Sequence, residues 1–240
     1  MKRPRKGKKS WGRHREDEEK ELQNPFENEE FTLSPLHFFS AEIPVLFLSS
    51  TQNARFSHAH RLPNLAQILG EESFAEVSLG WNPDGLRALI RVEKPFEKCR
   101  FPDIQQGDSV ELFFDTRNVK TSGFNTRFCH HFFFLPERVE GKQAGELTRF
   151  RAEETHEWCD PADLYVKAAL GKHGYSLDVT IPAHCLHGYD PDQFDHLGFT
   201  YRINRFGGHS QHFSVSSLDY QIEEQPSLWS SLKFITGEQA

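Results

Sequence analysis

An acid interrupts what is otherwise an apolar strand. In Ser109-Val110-Glu111-Leu112-Phe113-Phe114-Asp115, Val110, Leu112 and Phe114 fall on one face, and Ser109, Glu111, Phe113 and Asp115 on the other. Period-two alternation predicts a strand with one face in a core. A carboxylate buried there without a partner is costly, so Glu111 must reach solvent, a basic partner or a ligand. Asp108 stands at the mouth of the same segment, in the polar loop Gln105-Gln106-Gly107 that leads into it. His130 and His131 sit in the most aromatic stretch, Arg127 to Leu135. Adjacent strand residues point to opposite faces, so the pair cannot chelate one metal from one face. His130 shares a face with Phe128, Phe132 and Phe134; His131 shares one with Cys129, Phe133 and Leu135. One then faces the core or cleft and the other solvent, and the inward one either lines a ligand groove or is a hydrogen-bonded core histidine.

A second polar group surrounds Gly207-Gly208, where Asn204, Arg205, His209 and His212 flank a turn. β-Sandwiches place binding loops at such tips, although a hairpin with satisfied polar ends has the same composition. No zinc spacing links His212 to the paired histidines. Asp190, Asp192 and Asp195 alternate as oxygen ligands for a structural calcium could. The EF-hand glycine and closing glutamate are absent, so cap and turn duty is the expectation. No nucleophile elbow, H-E-x-x-H, P-loop or dinucleotide fingerprint is present. Glycosidase chemistry needs only two carboxylates, and nothing singles out a pair among the 35 acids. The sequence therefore points away from an enzyme, a metal-assisted reaction at the His-rich tip being the remaining catalytic reading.

Short strands must position these residues. Ile43 to Leu48 reads as a strand, with Pro44 marking a sheet edge. Leu62 to Leu69 spaces its leucines like one or two helical turns. Phe74 to Trp81 and Leu86 to Val92 form a hairpin about Asn82-Pro83-Asp84-Gly85. Leu164 to Leu170 and Tyr175 to Ile181 form another, and Pro182 to Leu186 a single helical turn. Leu197 to Arg205 pairs with Gln211 to Ser216, and Leu232 to Ile235 is a last strand. Residues 137–163 lack periodicity and read as a long excursion. Nine or ten short strands with almost no helix predict an all-β antiparallel sandwich, jelly-roll or immunoglobulin-like.

Composition bounds the rest. At 240 residues, one domain over 31–240 with a tail over 1–30 is expected. Hydrophobic content is 37%, and the 22 Phe supply the core area that few aliphatics leave wanting. No apolar run is long enough to span a membrane as a helix. None of Cys99, Cys129, Cys159 and Cys185 forms a C-x-x-C pair, so reduced thiols in a cytoplasmic protein are expected. The net charge is −7, yet residues 1–15 carry eight basic residues and no acid, leaving 20 Lys and Arg against 35 acids elsewhere. The tail reads as disordered, and its basic block, residues 1–15, as a solvated arm or a polyanion contact.

The ordered set Trp81 to Leu86, Gly107 to Asp115, Tyr175 to Pro182 and Leu197 to Arg205, closed by Pro226 to Phe234, resembles family 9 carbohydrate-binding modules and the wider DOMON-like sandwiches. The resemblance covers about residues 70–236. It implies a β-sandwich that binds a saccharide, often with calcium holding its loops. It also implies that Glu111 and a base on the following strand, by position Arg127, share sugar hydroxyls, since carboxylate and guanidinium are complementary acceptor and donor. The same two residues could instead be a cross-strand ion pair. This sequence departs from the family at Phe101-Pro102-Asp103-Ile104-Gln105-Gln106, where sugar-binding members carry a tryptophan. The expected function is a non-catalytic module for a glycan or polar ligand, with Asp108, Glu111, Arg127, His130, His131, Asn204 and Arg205 at its site. The alternative is an intracellular scaffold docking through the basic arm.

Overall fold

The computed structural model describes residues 41–50, 54–151 and 153–236. The N-terminal tail, its basic arm and the start of the expected domain lie outside these residues. The chain forms two packed sheets, and helical geometry among the described residues is limited to single 3-10 turns such as Ala183–Cys185. The strands are β1 (Glu42–Leu46), β2 (Ala75–Asn82), β3 (Gly85–Val92), β4 (Ser109–Asp115), β5 (Cys129–Val139), β6 (Lys142–Glu146), β7 (Tyr165–Leu170), β8 (Tyr175–Pro182), β9 (His196–Asn204), β10 (Gln211–His212) and β11 (Ser230–Ile235). One sheet runs β1-β11-β9-β4-β5-β6, with β10 on β9; the other runs β2-β3-β8-β7.

Alternation decides what lies between the sheets. Val110, Leu112 and Phe114 of β4 meet Phe132 and Phe134 of β5 and Phe199, Tyr201 and Ile203 of β9. The other sheet adds Val77, Leu79, Ala88, Ile90, Leu177 and Val179. The opposite face of β4, β5 and β9 is covered by chain rather than water. Phe113 and Cys129 pack with Val215, Ile222 and Trp229, while Phe133 and Leu135 pack with Cys99 and Ile104.

Two expectations change. The sandwich is not wholly antiparallel, because edge strand β1 pairs with β11 in parallel. Residues 137–163 are not one excursion: β5 continues to Val139 and β6 returns beside it. They lack alternation because both faces are covered where β6 buries Ala144, Gly145 and Glu146 in succession. Leu62 to Leu69 closes a single helical turn, within the expectation, with Leu69 N donating to Leu65 O.

The turn from β2 to β3 rests on Gly85. Its φ is +139°, and a Cβ there would lie 2.2 Å from the Ile181 carbonyl oxygen on β8. Both strain and clash oppose any side chain. Gly85→Ala is expected to cost about 2–3 kcal/mol, as backbone strain of this kind does, read as a lower urea midpoint at unchanged slope. An unmoved midpoint would mean that the hairpin shifts freely.

Candidate ligand cleft

The β4–β9 register sets Glu111 opposite Arg202 and Ser109 opposite Asn204. All four point away from the main core, by the same parity that places Tyr201 and Ile203 within it. Glu111 is fully buried. Arg202 grips it with two bonds, Nε to Oε1 and Nη2 to Oε2, each 2.7 Å. Asn204 Nδ2 donates to Oε1 at 2.6 Å, and His131 Nε2 lies 2.8 Å from Oε2. A carboxylate offers about four acceptor positions, and the chain fills all four. Stacking of the His131 ring on Phe113, with centroids 4.2 Å apart, fixes that imidazole.

Arg202 reaches outward with its remaining nitrogen, Nη1, to Glu223 Oε1 at 2.7 Å. Gln105 Nε2 donates to the same oxygen at 3.2 Å. The result is a charge chain, Glu111–Arg202–Glu223, running from the interior to a partly exposed carboxylate. Main-chain contacts hold that outer end. Trp229 Nε1 donates to Ile222 O, and Asn125 Nδ2 to both Glu223 O and Arg149 O.

This chain floors a cleft of about 490 Å3. The loop 102–106 forms one wall, and Thr148, Arg149 and Trp158 the other. Trp158 is 54% exposed, a large aromatic surface left uncovered beside a polar floor. A larger depression, about 750 Å3, lies on the outside of β3 and β8. Its Arg87 and Asp178 satisfy each other in a two-bond pair, and its exposed aromatic is the phenol ring of Tyr165, 59% exposed, rather than an indole.

The site residues read from the sequence part into two groups. His131, Glu111 and Asn204 come together at the cleft floor. Arg127 does not reach Glu111: its guanidinium lies on the surface, paired with Glu154 at 3.1 Å, and Arg202 takes its place. The register explains this, since Arg127 precedes β5 while Arg202 is in line with Glu111 on the other neighbouring strand. Asp108 is buried as a loop clamp, accepting from Glu97 N, Lys98 N and Phe206 N. Arg205 lies over the Phe74 ring, 5.5 Å from its centroid. His130 faces the opposite way from His131 and binds Glu146. His212 is held by Glu71 and Ser217, away from both paired histidines. Asp190 caps its own turn through Gln193 N, and Asp195 engages His196. Cys159 and Cys185 form a disulfide, while Cys99 and Cys129 are free buried thiols, correcting the expectation of four reduced cysteines. The fold returns residue 159 onto the end of β8, a proximity that spacing could not show. Arg202, Glu223 and Trp158 were missed. Parity with Asn204 was the available signal for Arg202; Trp158 and Glu223 sit in segments without periodicity.

The charge chain has a consequence in acid. Burial alone would raise the Glu111 pKa, but the His131 and Arg202 bonds outweigh it and hold it at about 2 against an ordinary 4.5. Glu223 is likewise lowered, its burial offset by Arg202. A lowered folded-state pKa stabilises fully above the unfolded value and loses that contribution as pH falls through the folded one. Glu111 is therefore expected to withdraw about 3 kcal/mol between pH 4.5 and about 2. Urea midpoints measured across this range should fall steeply, and Glu111→Gln should flatten the fall. Glu146, also held at about 2 by His130 and His156 against its burial, keeps a residual slope in that variant. An unchanged slope in Glu111→Gln would rule out Glu111 as the source.

Two sheets, an outward polar floor and edge-strand order define a β-sandwich with the fold of family 9 carbohydrate-binding modules. A family 9 module from Caldicellulosiruptor kristjanssonii in complex with glucose superposes with a TM-score of 0.61 at 16% identity, covering 83% of this chain and 98% of that one. A second structure from that organism, in complex with cellotriose, gives 0.54 at 16% identity, covering 82% and 94%. No family model matches the sequence, and no curated protein matches it. No helix of the described residues is long and apolar enough to cross a membrane.

Proposed function

We propose that this chain is a non-catalytic module that binds a neutral saccharide in the cleft between Trp158 and Glu223. One observation carries the reading: an uncovered indole stands beside a floor of polar groups already fixed in place. A sugar offers an apolar C–H face and a rim of hydroxyls. Trp158 suits the face, as aromatic rings at binding sites supply large, rigid contact area. Glu223 and Gln105 suit the rim, accepting from and donating to adjacent hydroxyls. Glu111 plays a different part from the one that the family resemblance implies. With its four acceptor positions filled, it anchors Arg202 and His131 rather than meeting the sugar. The superposable modules whose structures hold glucose and cellotriose support the ligand class.

Catalysis is disfavoured by the same electrostatics. A glycosidase needs one carboxyl that stays protonated near neutral pH. Both floor acids, Glu111 and Glu223, are held below their ordinary range. Calorimetric titration of the full chain with glucose, cellotriose and an acidic sugar tests the proposal. Heat saturating at one site with a neutral sugar is expected. Silence across all three would mean that the cleft has lost sugar binding and favour a scaffold role.

A further inference from the structure

Beneath the Trp158 wall lies a second cluster on the inward side of β5. His130 Nδ1 is 3.0 Å, and His156 Nε2 2.8 Å, from the same oxygen, Glu146 Oε1. All three side chains are almost wholly buried, and their ligand atoms lie within 4.8 Å of one another. Thr148 Oγ1 adds a third contact to that oxygen at 2.6 Å, and Cys159 N donates to Oε2 at 2.9 Å.

Proton placement makes this arrangement unusual. His156 Nδ1 faces the Arg127 carbonyl at 2.7 Å. A carbonyl only accepts, so Nδ1 carries the proton. His156 Nε2, facing an ionised carboxylate oxygen, then either carries a second proton or turns a lone pair on that oxygen, with a cation standing between them. His130 poses the converse problem. If its Nδ1 donates to Glu146, its Nε2 is a lone pair in the interior, with no hydrogen-bond partner among the described residues. If its Nδ1 instead binds a cation, Nε2 holds the proton, beside the His187 main chain.

We infer that His130, His156 and Glu146 form a binding site for a divalent transition-metal ion of the zinc type. Two imidazoles and a carboxylate suit borderline ions. Ligands about 2.0–2.1 Å from a tetrahedral ion stand roughly 3.3 Å apart, and the two histidine–glutamate spacings need open by only a few tenths of an ångström. The Arg127 carbonyl is the outer partner that ligating histidines require to fix their tautomer. The fourth position falls to water. Such an ion would pin residues 156 and 159 on either side of Trp158, and so hold one wall of the cleft. Metal binding itself does not depend on the cleft taking a sugar.

Equilibrium dialysis of the full chain against zinc, with metal analysis, tests the site, backed by the visible spectrum of the cobalt(II) form. One tightly held equivalent and a tetrahedral cobalt spectrum are expected. His156→Gln should weaken binding about 100-fold or more, whereas His209→Gln, at the exposed turn, should leave it intact. In the wild type, a chelator should lower the melting temperature, because an ion bound only to the folded state stabilises it. Substoichiometric zinc with a chelator-insensitive melt would overturn the site and leave a buried imidazolium–carboxylate pair in its place. Full binding retained by His156→Gln would also overturn it.

Discussion

Replacing Arg202 with methionine is expected to destabilise the fold by about 3–5 kcal/mol, the usual cost of removing one partner from a buried ion pair. The side chain keeps its apolar stem, so lost packing contributes little. What changes is that Glu111, with no exposure, loses two of its four donors and its only permanent countercharge, while Glu223 loses its cation. Asn204 and His131 remain but cannot replace a fixed positive charge. Glu111→Gln in the Arg202→Met background should recover part of the loss, since a neutral amide no longer needs a countercharge. Urea unfolding of the two variants and of wild type checks both statements. A loss under about 1 kcal/mol for Arg202→Met would mean that water reaches Glu111 as it does a surface pair, and the account of a sealed anchor would fail.

The second large effect concerns the ligand. Trp158→Ala should weaken saccharide binding about 30-fold or more, equivalent to about 2 kcal/mol, as truncating a central tryptophan does at binding sites. Stability should barely move, because the indole is more than half exposed and surface truncations usually cost little. Trp158→Phe should recover much of the affinity by keeping a ring face. The contrast with Arg202→Met is diagnostic, as one variant loses fold and the other loses ligand. Equal affinity in Trp158→Ala and wild type would relocate the sugar, with the depression beside Arg87 and Tyr165 as the next place to look.

The cleft was legible in part. Alternation alone put Glu111 and His131 on the side of their strands away from Leu112 and Phe132, and the sheet has them there. It also separated His130 from His131, and the structure gives them different carboxylates. Pairing was not legible. The expectation that Glu111 meets a base on the next strand in the chain treated β4 as having one neighbour, whereas it has two. The second neighbour, β9, begins some 80 residues later and brings Arg202 and Asn204. Glu146, His156 and Trp158 were invisible for another reason. They lie in a segment read as structureless, because β6 buries Ala144, Gly145 and Glu146 in succession and so has no alternation to display.

What the sequence determined by itself was local. Strand positions, the two-faced character of β4, β5 and β9, and the Asn82–Gly85 turn all follow from side-chain period and backbone permissiveness between near neighbours. Only the tertiary structure decided who partners whom. It gave Glu111 to Arg202, Arg127 to Glu154, His130 and His156 to one glutamate, and Cys159 to Cys185. The reason is physical. Period fixes the direction in which a side chain points, but the group it meets depends on sheet order and register, and these are settled by the packing of the whole core rather than by any one stretch.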